Sequence, residues 1–249
     1  ETLKLHQIDF IPGAVELGDF DPTSTTIAVD PGGELGRLPQ PALNRTFERY
    51  DEFFRQRRAE AKWKAYTPYE WRVVGTMIRL GWRDRALDQM AFFMEGQRPA
   101  AWNHWAEVVW RDPKTPRFIG DMPHTWVGSD FIRAARGLFV YEREADQALV
   151  IGAGIPAAWV ESLEGVTVRR MPTWHGTLNY RMAMTNPDTL RVRLTGDVTV
   201  PPGKIILHSP LDRPLWAATV NGRAATFAAN IVTVDQFPAE VELRYAASP

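Results

Sequence analysis

Residues able to do chemistry concentrate in Trp102–Trp126, which reads WNHWAEVVWRDPKTPRFIGDMPHTW. The stretch holds four tryptophans (102, 105, 110 and 126), two histidines (104 and 124), Asn103, and acids at 107, 112 and 121. Pro113, Pro116, Gly120 and Pro123 forbid a continuous helix through its second half, so a loop lining a cleft is expected. Flat indole faces suit ligands with apolar C–H surfaces, sugars above all, while amides, imidazoles and carboxylates suit hydroxyl groups. Ten tryptophans in 249 residues is the unusual count in the composition, although any single one is as well explained by core packing. A second group of candidate carboxylates, Asp19 and Asp21, flanks Phe20 in an irregular segment rich in Asp, Thr, Pro and Gly. Both are suited to hydroxyl binding or catalysis, and equally to capping turns.

The bulk numbers narrow the partners. Lys+Arg 29 against Asp+Glu 30 gives a net charge of −1, which argues against nucleic acid or an anionic membrane surface. No apolar run is long enough to cross a bilayer. Cysteine is absent, which removes disulfides, thiolate catalysis and cysteine metal sites but leaves the compartment open. His104 and His124 lack the spacing of a helical metal pair, so no metal is expected. Ser129 and His175 form no hydrolase triad, for no G-x-S-x-G elbow is present. Phosphate-binding glycine motifs are missing too, and no cofactor is expected.

The elements that would position these residues are helical first and extended afterwards. Leu43, Phe47, Tyr50 and Phe54 make one apolar stripe on a helix from about Pro41 to Ala61. Thr67, Pro68 and Glu70 read as a capping box opening a second helix with Val74, Met77 and Ile78 inward. A third helix is expected from about Asp84 to Glu95, burying Leu87, Met90, Ala91 and Met94, and a fourth from Thr125 to about Glu144. The first 40 residues read as loop with a short strand at Thr26–Val29. From Asp146 onwards, eight short β-type runs separated by turn residues imply an antiparallel sandwich, and Asn221-Gly222 is a strong hairpin signal. The expected fold class is therefore α+β, with a helical region over 1–145 and an antiparallel β-sandwich over 146–249.

This layout resembles the C-terminal part of the six-hairpin, (α/α)6-barrel glycosidases, the α-L-rhamnosidase-like branch above all. The residues carrying the resemblance are Ala101–Trp105 (AWNHW), the following PHTWVGSDFIRAARGLFVYE, and the runs IGAGIPAAWVES, VTVRRMPTWHGTLNYRM and WAATVNGRAA. In that branch a W-E-x-W motif precedes a loop and a final barrel helix. Here its acid is replaced by Asn103, and Glu107 is the nearest substitute by position. A full barrel needs twelve helices, roughly 200 residues, and only about four precede the strands here. The resemblance thus implies that the chain is the C-terminal portion of a longer polypeptide, completed by an N-terminal segment or a separate chain.

The resemblance also implies an oligosaccharide or glycoside substrate and hydrolysis by paired carboxyl groups. Glu107 and Asp121 are then the catalytic candidates. Asp19 and Asp21 would lie in the cleft, Trp102, Trp105 and Trp126 would be stacking walls, and Asn103, His104 and His124 would bind hydroxyls. The plainer readings are a solvated Glu107 and an Asp121 that caps the helix after it. The alternative at the level of function is a non-catalytic carbohydrate-binding or assembly module.

Overall fold

The computed structural model describes residues 1–60 and 63–246. The fold is α+β, with helices in the N-terminal half and antiparallel sheets at the C-terminus. The chain forms two compact units, Glu1–Ala135 and Arg136 onwards.

The N-terminal unit is built on helices α1 (Thr2–Leu5), α2 (Pro22–Val29), α3 (Ala42–Glu60), α4 (Trp71–Arg79) and α5 (Arg83–Met94), with the start of α6 (Thr125–Phe139). The α3 stripe is as its spacing predicts, for Leu43, Phe47, Tyr50 and Phe54 are all buried. The expected end of that helix, Ala61, lies outside the described residues. Three other expectations are corrected. Thr26–Val29 is helical rather than a strand, because Asp21 accepts the Thr23 N–H and so caps α2, with Pro22 supplying the first turn. Thr67 makes no side-chain cap; Pro68–Glu70 is a 3-10 turn, and the Glu70 carboxylate is taken inward by Tyr50 and Arg57. On α5 the buried face is Ala86, Gln89 and Phe93, while Ala91 and Met94 are exposed. Phe93 decides that rotation, since its ring packs with those of Phe54, Tyr66 and Trp71.

Two extended segments lock the central loop onto this scaffold. Strands β1 (Ala65–Tyr66) and β2 (Val109–Trp110) pair antiparallel. Beyond them, the Glu107 N–H donates to the Asp121 carbonyl (3.1 Å), the Val108 N–H to the Ile119 carbonyl (3.1 Å), and the His124 N–H to the Trp105 carbonyl (3.0 Å). The loop that the prolines forbid to be helical is thereby stitched together by backbone bonds instead.

The C-terminal unit opens with the end of α6, which stops at Phe139 rather than near Glu144. The following residues become strand β3 (Val140–Arg143), paired with β4 (Ala148–Ile151). Apart from the short α7 (Ala157–Glu161), the remainder is β5 (Val166–Thr173), β6 (Gly176–Asn186), β7 (Thr189–Gly196), β8 (Ile205–His208), β9 (Leu215–Val220), β10 (Arg223–Ala224), β11 (Phe227–Ala228), β12 (Ile231–Val234) and β13 (Ala239–Tyr245). Six strands in the order β10-β9-β13-β7-β6-β5 make a wholly antiparallel sheet. Five in the order β11-β12-β8-β4-β3 make the other, where β4 and β8 run parallel. That parallel pair departs from the all-antiparallel expectation. It is consistent with β4 being apolar and buried at every position, whereas β7 and β13 alternate as half-buried strands do. Inward residues of both sheets, such as Leu178, Tyr180, Val192 and Val241 with Leu149, Ile205 and Val232, form one core.

Arg136 and Glu142 brace the entry to this unit through two hydrogen bonds of 2.9 and 2.8 Å. Burial alone would raise the Glu142 carboxyl, but the Arg136 bonds and the Trp174 N–H carry it net below the ordinary value of 4.5. A depressed carboxyl contributes stability above its unfolded pKa and loses it as pH falls through the folded value. Urea midpoints measured from pH 7 down to pH 3 should therefore fall more for the native protein than for Glu142→Gln; equal slopes would discard the pair as a pH-dependent contributor.

Candidate functional site

Tyr69, three residues after β1 and inside the Pro68–Glu70 turn, is the centre of the polar cluster in the N-terminal unit. Its hydroxyl lies 2.5 Å from His124 Nε2. His124 sits immediately before α6, buried, with its Nδ1 3.7 Å from Asp121 Oδ2. Partial burial and then the Glu107 carboxylate raise the Tyr69 phenol, with Asp130 and Asp121 adding to the rise and Arg72 opposing it. Tyr69, His124 and Asp121 thus lie in one line, and which of the phenol and Nε2 donates follows from the imidazole tautomer.

The Glu107 N–H bond to the Asp121 carbonyl sets the backbones of these two residues side by side. Gly120 makes the approach possible: its φ is +62°, and a Cβ there would fall 2.0 Å from Glu107 Oε2. Only glycine tolerates both the left-handed conformation and the carboxylate lying over it. On the other side, Arg72 from α4 stacks its guanidinium 4.9 Å from the Tyr69 ring centroid and 5.5 Å from that of Trp126. Arg72 also bonds Asp130 at 2.8 Å. Burial raises the Asp130 carboxyl, and Arg72 only partly offsets it. The Trp126 ring stands nearly perpendicular to Tyr69, with centroids 5.6 Å apart, and remains 61% exposed. It is therefore an open indole face beside a phenol that is itself bonded to an imidazole.

The structure places the other sequence candidates as follows. His104 accepts the Trp105 N–H on Nδ1 and rests against Gly128 of α6, where a Cβ would fall 2.8 Å from its Nε2. Trp105 is no stacking wall: it is 1% exposed, its Nε1 donates to the Phe93 carbonyl at 2.7 Å, and its ring packs on Trp71 and Phe131. Trp102 and Asn103 lie on an exposed 3-10 turn (Ala100–Trp102) closed by Asn103 at φ +50°. Asp19 and Asp21 stay in their own segment, Asp19 accepting the Ala14 N–H and Asp21 bonding Thr23 and Ser24. Cluster members that sequence reasoning missed are Tyr69, Arg72 and Asp130. Tyr69 and His124 are 55 residues apart, and no local spacing signals their meeting.

Comparison with known proteins adds little to this geometry. No protein-family model matches the chain, and no curated protein matches it. Among solved structures, Ara127N-Se, a GH127 β-L-arabinofuranosidase from Geobacillus stearothermophilus T6, aligns with 48% of this chain and 18% of its own, at 15% identity and a TM-score of 0.27. The likeness is to a small part of a glycosidase, at a level that establishes neither a shared fold nor shared chemistry.

What the cluster can do follows from its own groups. Glu107 and Asp121 can accept protons or hydrogen bonds from hydroxyl groups, and the Trp126 face can take the apolar side of a sugar ring. Asp130 cannot serve as a donor to a ligand, being buried and held by Arg72. Among the described residues no group of three or more His, Asp or Glu side chains gathers as a metal site.

Proposed function

We propose that the N-terminal unit carries a carbohydrate site and belongs to a glycoside-hydrolysing protein, with Glu107 as the base that activates water. Asp121 orients His124, which fixes Tyr69, and the phenol and imidazole bind sugar hydroxyls against Trp126. The observation that carries this reading is His124, 2.5 Å from the Tyr69 hydroxyl and 3.7 Å from Asp121, with the exposed Trp126 ring against Tyr69. The resemblance to the C-terminal part of (α/α)6-barrel glycosidases supports the same reading. On this view the proton donor comes from outside the described cluster. A purely binding module is the second reading, favoured by Asp121 being 84% exposed.

Glu107→Gln is expected to lower the hydrolysis rate of a responsive glycoside by roughly 10²–10⁴-fold, the usual worth of a general base, with an unchanged circular dichroism spectrum. Asp121→Asn should lower it less, through misorientation of His124. Unchanged rates in both variants would remove the assignment. Retardation on a polysaccharide gel without release of reducing sugar would establish the binding module instead.

A further inference from the structure

We propose that the central loop carries a second ligand site, an apolar cleft beside Arg98 that binds a small planar aromatic carboxylate. The cleft measures about 340 Å³, within the roughly 300–1,000 Å³ range of small-molecule pockets. Val108, Trp110, Pro113, Pro116 and Ile119 wall it, and Arg98 lines it as its one charged side chain. Glu107 and Asp121 do not line it, so the inference goes beyond the sugar reading and stands apart from it.

Three observations fix the ligand class. First, the walls are apolar, and Trp110, Pro113 and Pro116 give them ring faces. The Trp110 Nε1 is already committed to the Phe118 carbonyl at 2.6 Å, which leaves the indole with only its ring to offer, and the two prolines present C–H surfaces. Second, the cleft is pre-formed. The same indole bond, the pairing of β2 with β1 and the Val108–Ile119 backbone bond hold its walls without a ligand, which lowers the ordering cost of binding. Third, the cation is unpaired. Arg98 Nη1 donates to the Glu95 and Gln97 carbonyls at 2.8 and 3.2 Å, yet among the described residues no carboxylate pairs with it. Its Nε is buried with no acceptor. A guanidinium that lines an apolar cleft with no carboxylate against it is complementary to a carboxylate on an aromatic ring, and the bond would be charge-assisted. A neutral sugar would leave both the apolar walls and that charge unmatched.

The test is calorimetric titration of the whole chain with 2-naphthoate and with 2-naphthylmethanol, which keeps the ring system and lacks the charge. Saturable 1:1 naphthoate binding tighter than about 1 mM is expected, with the alcohol roughly tenfold weaker. Arg98→Gln should bring naphthoate down to the level of the alcohol. Val108→Trp, which fills the cleft, should abolish both, with Ile119→Trp as the substitute if that variant does not fold. Glu107→Gln should leave naphthoate binding unchanged, which separates this site from the sugar site. No saturable binding, equal affinity for acid and alcohol, or binding that survives a folded cleft-filling variant would each overturn the proposal.

Discussion

Trp71→Ala is expected to destabilise the N-terminal unit by about 3–5 kcal/mol, the usual cost of truncating a fully buried large aromatic. Trp71 opens α4 with no exposed surface, and its ring meets Phe93, Trp105 and Phe131 at centroid distances of 5.5, 5.4 and 5.0 Å in tilted and edge arrangements. Those three partners come from α5, the central loop and α6, so the indole ties together every element that surrounds the candidate site. Deleting it removes the transfer free energy of the ring and leaves a cavity among rigid rings that cannot collapse around it. Trp71→Phe should cost much less. It keeps most of the ring contacts and deletes an indole N–H that is buried without an acceptor among the described residues. Urea unfolding followed by circular dichroism checks both. A Trp71→Ala loss under about 1 kcal/mol would mean that the aromatic cluster is loosely packed.

Which residues take which role was legible only where the pattern is local. The stripe on α3 is visible because one face of a long helix is buried throughout its length. Strands β4 to β9, β12 and β13 are visible because apolar runs and the turn residues between them are properties of neighbours, and the Asn221-Gly222 hairpin is of that kind, both residues taking positive φ between β9 and β10. Of the candidate residues, Glu107 is joined to Asp121 by a backbone bond and Asp121 lies 3.7 Å from His124. Trp105 and Trp126 are chemically identical in sequence and opposite in burial. Burial of a tryptophan is decided by what packs on it, here Phe93, Trp71 and Phe131, all distant in sequence from the loop or on the following helix. Tyr69 was hidden for a different reason. Thr-Pro-Tyr-Glu is a good capping pattern, but burying Glu70 beside Arg57 and Tyr50 outweighs the cap hydrogen bond, leaving the buried Thr67 hydroxyl without a partner among the described residues, and the turn then presents Tyr69 towards His124.

That exchange sets the second large effect. Glu70→Ala is expected to destabilise the N-terminal unit by about 3–5 kcal/mol, because it strands a buried cation. Arg57 Nη2 bonds Glu70 Oε1 at 3.0 Å, and the two side chains are only 7% and 8% exposed. The Tyr50 hydroxyl donates to the other carboxylate oxygen, and burial, then the Glu70 charge, raises that phenol far above its ordinary value. Removing the carboxylate leaves the guanidinium and the phenol without their partner in a dry site, where each unmet group costs far more than its bond contributes to folding. A substitution that deletes both charges should behave differently. Arg57→Met with Glu70→Met removes the stranded cation and fills similar volume, so it should recover most of the loss. A double variant as unstable as Glu70→Ala would show that Glu70 acts through the turn geometry and not through the ion pair. Tyr69 precedes Glu70 in that turn, so the single variant should also loosen the Tyr69–His124 hydrogen bond. A downfield His124 ring N–H that broadens in Glu70→Ala and returns in the double variant would tie the buried pair to the site it positions.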